Sequence, residues 1–194
     1  MISIRESIKF GWRGFKSNWK PFIVLAILLT SVMILTSDKN AFSIKSLLGE
    51  IVLSALWLGG VVISLKVADG KKVSLSDFRS SYKDYKLIAL FILVNITISV
   101  LFQLGMFLLI IPGLIIGARF LPAPFLVVDK NTSYVDTFKR SWELTRGKTI
   151  KLILFEIAIF GVVILGFLAL IVGVLATFGV ISIASAHIYR KLSA

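Results

Sequence analysis

The sequence predicts an all-α, polytopic membrane protein of about six transmembrane helices, with three amphipathic interfacial helices on the cytoplasmic face. Three observations predict it. Hydrophobic residues make up 57% of the 194-residue chain and charged residues only 16%, against about 25% charged in an ordinary soluble domain. The charges fall in blocks between long uncharged stretches. Each large block is basic and has aromatic residues threaded through it. A mean hydropathy of +0.94 leaves more apolar surface than an aqueous core of this size could absorb, so lipid is the natural solvent. One integral membrane domain over residues 1–194 is the simplest organisation.

A spanning helix needs about 20 apolar residues. Residues 21–37 carry no charge and form the first span, with Pro21 suited to a first helical turn, where its missing N–H costs nothing. Arg5, Lys9, Arg13, Lys16 and Lys20 precede this run as in a signal peptide, but no Ala-x-Ala site follows. The run is therefore read as a retained anchor. Residues 46–65 form the second span, interrupted only by Glu50. Residues 87–118 are uncharged and too long for one span. Proline ends a hydrogen-bond ladder and glycine permits a tight turn, so Pro112-Gly113 divides the stretch. The third span is then 87–111 and the fourth 114–128, with Arg119 inside it. Residues 152–189 hold only Glu156 as a charge and are long enough for two spans, turning between Gly166 and Gly173. The count is six, or five if 114–128 is half-inserted.

Lys and Arg in short loops set orientation. One side holds the residues before Pro21, residues 66–86, residues 130–151 and Arg190-Lys191, while the other holds Lys39, Lys45 and two tight turns. Both termini are expected to be cytoplasmic.

The N-terminal basic block has helical periodicity. Ile4, Ile8, Trp12, Phe15, Trp19 and Phe22 recur at steps of three and four and share one stripe. Arg5, Lys9, Arg13, Lys16 and Lys20 form a second stripe beside it, and Ser3, Ser7, Gly11, Gly14, Ser17 and Asn18 complete the circle. An aromatic face next to a basic face marks a helix lying in the headgroup plane. Ser3 with Glu6 reads as a capping box. The block after residue 130 repeats the device: Ser133 and Asp136 cap, Tyr134, Phe138 and Trp142 form the stripe, and Gly147 stops the helix. Aligning Trp12 with Trp142 also pairs Lys9 with Lys139 and Lys16 with Arg146. The middle block is a weaker copy, with Leu75, Phe78, Tyr82 and Tyr85 beside Arg79, Lys83 and Lys86 and a cap at Ser74 and Asp77. The chain thus reads as three units, each an interfacial helix followed by a two-span hairpin, over roughly residues 1–66, 67–129 and 130–194. The lipid-interface set is Arg5, Lys9, Trp12, Arg13, Lys16, Trp19, Lys139, Trp142 and Arg146. It serves either to bind anionic lipid, at about 1 kcal/mol per basic residue near the surface, or simply to anchor the bundle.

A charge near the centre of a span costs roughly 2.5–3.5 kcal/mol on insertion scales and needs a partner. Arg119 is such a charge, and Glu50 lies at a matching depth. With Glu156, Asn95 and Gln103 they make either a polar pathway or a set of structural pairs. His187, near the end of the last span, is read as an interfacial packing residue.

With no cysteine and one histidine, no metal set is expected. Neither a nucleophile elbow nor a P-loop is present, and every aspartate lies outside or at the end of a span. The chain is therefore expected to be no enzyme, to use no cofactor and to bind no nucleic acid, since its net charge of +12 flanks apolar spans.

The stretch IPGLIIGARFLPAPFLVVDKNTSYVDTFKRSWELTRGK, residues 111–148, resembles a broad group of bacterial and archaeal multi-pass membrane proteins. That group is related to the membrane domain fused to some glycerophosphoryl diester phosphodiesterases. The matching elements are Pro112-Gly113, Arg119, Pro124, Asp129 after a Val-Val pair, and the run from Ser141 and Trp142 through Leu144 and Thr145 to Gly147. The resemblance implies about six helices and a prokaryotic cytoplasmic (inner) membrane location, and no phosphodiesterase activity, because that activity belongs to a separate soluble domain. The expected function is membrane transport or lipid-associated membrane homeostasis. The alternative is a scaffold or accessory subunit whose basic helices bind anionic lipid or a partner protein. Expected partners are membrane lipids, anionic ones above all, with a second copy or another membrane protein beside them.

Overall fold

A computed structural model describes residues 3–38, 43–168 and 170–193. Lys39, one of the two basic residues expected on the non-cytoplasmic side, lies outside them. The described residues form helices and connections, with no strand among them. The helices are α1 (Ile4–Ser17), α2 (Trp19–Thr36), α3 (Ile44–Ala68), α4 (Leu75–Ser80), α5 (Tyr85–Leu108), α6 (Ile110–Phe120), α7 (Ala123–Lys130), α8 (Tyr134–Thr145), α9 (Thr149–Leu168) and α10 (Leu170–Ser193). Six segments are long and apolar enough to cross a bilayer: α2, α3, α5, α6 with α7, α9, and α10 from Gly173. In chain order, a short helix precedes each pair of spans. The chain is an all-α, multi-pass integral membrane protein.

Local chemistry explains most boundaries. Asp84 caps α5, its carboxylate accepting from the N–H groups of Lys86 at 2.9 Å and Leu87 at 3.2 Å. Ser43 caps α3 by accepting from the Ser46 N–H at 3.2 Å. The turn expected at Pro112-Gly113 is instead made at Leu109, whose extended backbone (φ −164°, ψ 147°) separates α5 from α6. Pro112 then falls in the first turn of α6, where no carbonyl awaits its missing N–H, and Gly113 packs against Met106 of α5. A second break, at Leu121-Pro122, divides the fourth span into α6 and α7. Pro122 and Pro124 lack the N–H groups that would bond the carbonyls of Ala118 and Phe120, so the ladder stops there. α9 ends at Leu168 and α10 begins at Leu170, both inside the interval expected to divide the last two spans.

The centre of the bundle is α3 and α10. Leu58, Val61 and Ile63 of α3 and Ile183, Ala184 and Ile188 of α10 are essentially inaccessible. They meet Phe22 and Leu25 of α2, Phe91 and Val94 of α5, Phe125 and Val127 of α7, and Leu152 and Phe155 of α9. All of these lie in the half of the spans next to the basic blocks. In the other half, Ile34, Leu35, Phe107, Phe167 and Leu168 are exposed. Such a surface suits an apolar environment. Lipid tails are as apolar as leucine, so the buried half is held by close packing rather than by escape from water.

The amphipathic helices dock differently from the expectation. On α1 the buried residues are Ser7, Gly11 and Phe15, so the bundle-facing side joins the small-residue strip to Phe15 of the aromatic stripe, while Trp12 stays outward. Gly11 is required there: a Cβ would run into the Val180 carbonyl oxygen of α10 and meet the Ala184 Cβ at 3.1 Å. The middle helix, α4, has only six residues. Its stripe does not lie in a plane along the surface, because Phe78 and Tyr82 turn inward over Gly59 of α3, and the Tyr82 hydroxyl donates to the Leu56 carbonyl at 3.3 Å. Burial pushes the Tyr82 phenol up to about 12. Leu75 and Tyr85, at the ends of that stripe, remain exposed.

Candidate functional site

The basic end of the bundle gathers the charged residues into two arrangements, one outward and one inward. The outward one begins on α1. Ser3 accepts from the Glu6 N–H at 3.4 Å, but the Glu6 carboxylate does not complete the capping box; it accepts from Lys191 of α10 at 2.9 Å. The Lys191 ammonium holds the Glu6 carboxyl below its usual range. His187 of α10 stacks on Phe10 with ring centroids 4.3 Å apart, and its Nδ1 lies 3.1 Å from the Ser7 hydroxyl. Both contacts fasten α1 to α10, the packing role read for His187. With that face docked, Arg5, Lys9, Arg13 and Lys16 are exposed, and Trp12 and Trp19 remain 47% and 48% exposed. The Lys16 ammonium lies 5.2 Å above the Trp12 ring and that of Lys20 5.8 Å above Trp19. An apolar groove of about 450 Å³ runs beside α1, with Ile8 and Trp12 on one wall and Val162, Leu165 and Val180 on the other. Lys9 and Arg13 line the adjoining surface beside the same Ile8 and Trp12.

Lys139 on α8 and Arg146 just past its end are exposed, and Trp142 is 49% exposed. Ser133 accepts from the Asp136 N–H at 3.3 Å and donates to its carboxylate at 2.7 Å. Phe138 packs edge-on against Phe120 at 5.2 Å, which seats α8 across the α6–α7 break. There the Ser141 hydroxyl donates to the Arg119 carbonyl at 2.8 Å.

The intramembrane polar residues do not assemble. Arg119 does not pair with Glu50. Its guanidinium stacks 4.3 Å from the Trp142 ring centroid, and Nη1 donates to the Trp142 carbonyl at 3.3 Å. Glu50 is exposed on the outer surface of α3 and makes no ion pair among the described residues. Gln103 is exposed on α5, and Asn95 donates back to the Phe91 carbonyl of its own helix at 2.8 Å. Glu156 of α9 packs onto Gly117 of α6, where a Cβ would meet Oε1 at 2.6 Å; its Oε2 is buried without a hydrogen-bond partner. Neither alternative, a polar pathway or mutual pairing, is formed by these residues among those described: they stand on α3, α5, α6 and α9, and apolar clusters fill the core of the bundle.

The inward arrangement was not anticipated. Arg190 of α10 donates to both carboxylate oxygens of Asp69 at 2.7 and 2.8 Å and to Asp129 at 2.7 Å. The Tyr189 hydroxyl donates to Asp129 at 2.7 Å. This ties the last residues of α3, α7 and α10 together. The available signal was positional: Asp69, Asp129 and Arg190 each end a span on the same side.

Comparison with known proteins places this architecture. The chain is 32% identical over 228 aligned residues to the uncharacterized protein Mb2590 of Mycobacterium bovis, a match covering 99% of this chain and 69% of the relative. The uncharacterized proteins MT2637 and Rv2560 of Mycobacterium tuberculosis match with the same identity and the same coverage. The chain belongs to the family of these mycobacterial proteins. No family model matches it, and no solved structure does.

Proposed function

We propose that this is a non-enzymatic, lipid-associated protein of the prokaryotic cytoplasmic (inner) membrane, with both termini cytoplasmic, and that α1 and α8 engage anionic phospholipid. One observation carries the reading. α1 spends its small-residue face on docking and leaves its cations and tryptophans outward, beside an apolar groove of acyl-chain character. Lys9 and Arg13 at the adjoining surface complement a phospholipid headgroup, and Trp12 spans the boundary between the two. The apolar core supports a lipid-associated role over a through-membrane path, because Arg119, Glu50, Gln103 and Asn95 do not converge. The kinship with the membrane domain fused to glycerophosphoryl diester phosphodiesterases rests on residues 111–148 and is part of this proposal.

The test uses the full chain in detergent micelles supplied with equal phosphatidylglycerol and phosphatidylcholine, with retained lipid read by native mass spectrometry. Each basic residue near an anionic surface contributes about 1 kcal/mol. Lys9→Gln with Arg13→Gln should therefore cut the preference for phosphatidylglycerol roughly tenfold or more. Equal retention of both lipids, unchanged by the substitutions, would leave α1 as an anchor and reject lipid recognition.

A further inference from the structure

We propose that the cleft bounded by α7, α8 and the end of α10 is a binding site for a phosphate-bearing ligand, separate from the outward face of α1 and sharing only Arg146 with the lipid-interface set. The cleft measures about 490 Å³, within the roughly 300–1,000 Å³ typical of small-molecule sites. Four cations line it: Lys130 at the end of α7, Arg140 on α8, and Arg146 and Lys148 on the segment leading into α9. Among the described lining residues, Glu143 is the one carboxylate.

The pairing of these cations sets them apart from the other charges at this end. Lys66, Arg190 and Lys191 are each matched to a carboxylate at 2.6–2.9 Å. Arg140, Arg146 and Lys148 make no ion pair among the described residues. Lys130 lies 3.6 Å from Asp129, but that carboxylate already accepts from Arg190 and Tyr189 at 2.7 Å. Four like charges converging around a single carboxylate repel one another, and an anion in the cleft relieves them. Two guanidinium forks and two ammonium groups suit a tetrahedral, multiply charged oxyanion better than a single carboxylate. Leu126, Leu144 and Leu192 supply an apolar flank. A phosphate carried on a small organic group therefore fits the cleft, whether it belongs to a lipid headgroup or to a soluble phosphate ester.

The site does not depend on the lipid-associated reading, and its test separates the two. Full-length protein in phosphatidylcholine nanodiscs is titrated with sn-glycerol 3-phosphate by calorimetry. In a second arm, retention of phosphatidylglycerol is read by native mass spectrometry. Arg140→Gln with Arg146→Gln, both exposed and outside the packed core, should weaken binding of the responding ligand at least about tenfold, while Lys9→Gln with Arg13→Gln leaves it within about twofold. Arg140→Lys with Arg146→Lys keeps the charges but not the bidentate forks; its expected intermediate loss reads the site even if the glutamine pair folds poorly. A response to sn-glycerol 3-phosphate marks a soluble ester, and a response to phosphatidylglycerol alone marks a headgroup; either supports the site. Binding of neither probe, or an equal loss in the α1 variant, overturns it. Loss of phosphatidylglycerol only in the α1 variant overturns the cleft and leaves the lipid-associated reading standing.

Discussion

Arg119 is the charge that the alternation of basic blocks and apolar spans leaves unexplained, and the structure gives it a ring and a carbonyl rather than a carboxylate. The Trp142 π face attracts the guanidinium, and the Trp142 carbonyl accepts from Nη1. Cation–π contacts range from about 0.5–1 kcal/mol at exposed sites to about 2 when desolvated. A double-mutant cycle joining Arg119→Met and Trp142→Leu, read by reversible unfolding in micelles, should give a coupling of about 0.5–2 kcal/mol. The same cycle between Arg119→Met and Glu50→Gln should give none, because no contact joins the two groups. A coupling confined to the second pair would refute the geometry. The sequence exposed Arg119 as an outlier because hydropathy isolates it. It hid the partner because depth matching assumes a straight span, whereas α6 ends at Phe120 and α8 crosses the break. Asp129 was visible as part of a motif, yet its bond to Arg190 was not, since the two stand 61 positions apart and nothing local links them.

At the scale of the element, periodicity defines the faces of an amphipathic helix but not which face turns inward. The stripes of α1 and α8 were legible because apolar and basic residues recur at helical steps, and the caps at Ser3 and Ser133 because a hydroxyl precedes an acidic residue by three. Docking of α1 through Ser7 and Gly11 was not legible: it depends on the Val180 carbonyl and Ala184 of a helix far along the chain. Nor were the shortness of α4 and the inward turn of Phe78 and Tyr82 over Gly59 of α3. The polar tie of α4 is pH-sensitive. Lys66 of α3 donates to Asp77 at 2.6 Å and the Ser74 N–H donates to it at 2.9 Å, which together hold the carboxyl down from its ordinary 3.8 to about 2. A carboxyl depressed in the folded state stabilises fully above its unfolded value, and that stability is lost as pH falls through the folded value. Between about pH 4 and pH 2 the melting temperature in micelles should therefore fall in the wild type, and fall less in Asp77→Asn. Identical pH profiles for the two proteins would show that the tie contributes nothing to stability.

Across the whole molecule, packing and charge point to the same end. The close-packed half of the bundle, with Phe22, Leu58, Phe91, Phe155 and Ile188 inaccessible, lies next to the ion network of Asp69, Asp129 and Arg190. The other half exposes Ile34, Leu48, Phe107 and Phe167. A bundle tied by charge at one end and open to lipid at the other has a definite polarity across the bilayer. Lys and Arg resist translocation, so the basic, tied end should face the cytoplasm. The absence of cysteine makes this directly measurable. Lys45→Cys, beside the start of α3, and Ser193→Cys, at the end of α10, introduce single thiols at opposite ends of the spans. In intact cells an impermeant maleimide should label the first and leave the second unlabelled until the membrane is opened. The reverse pattern would invert the molecule, and labelling of both in intact cells would place α10 the wrong way round and reduce the span count to an odd number. That last outcome would conflict with the Lys191–Glu6 contact, which requires the two ends of the chain to meet on one side.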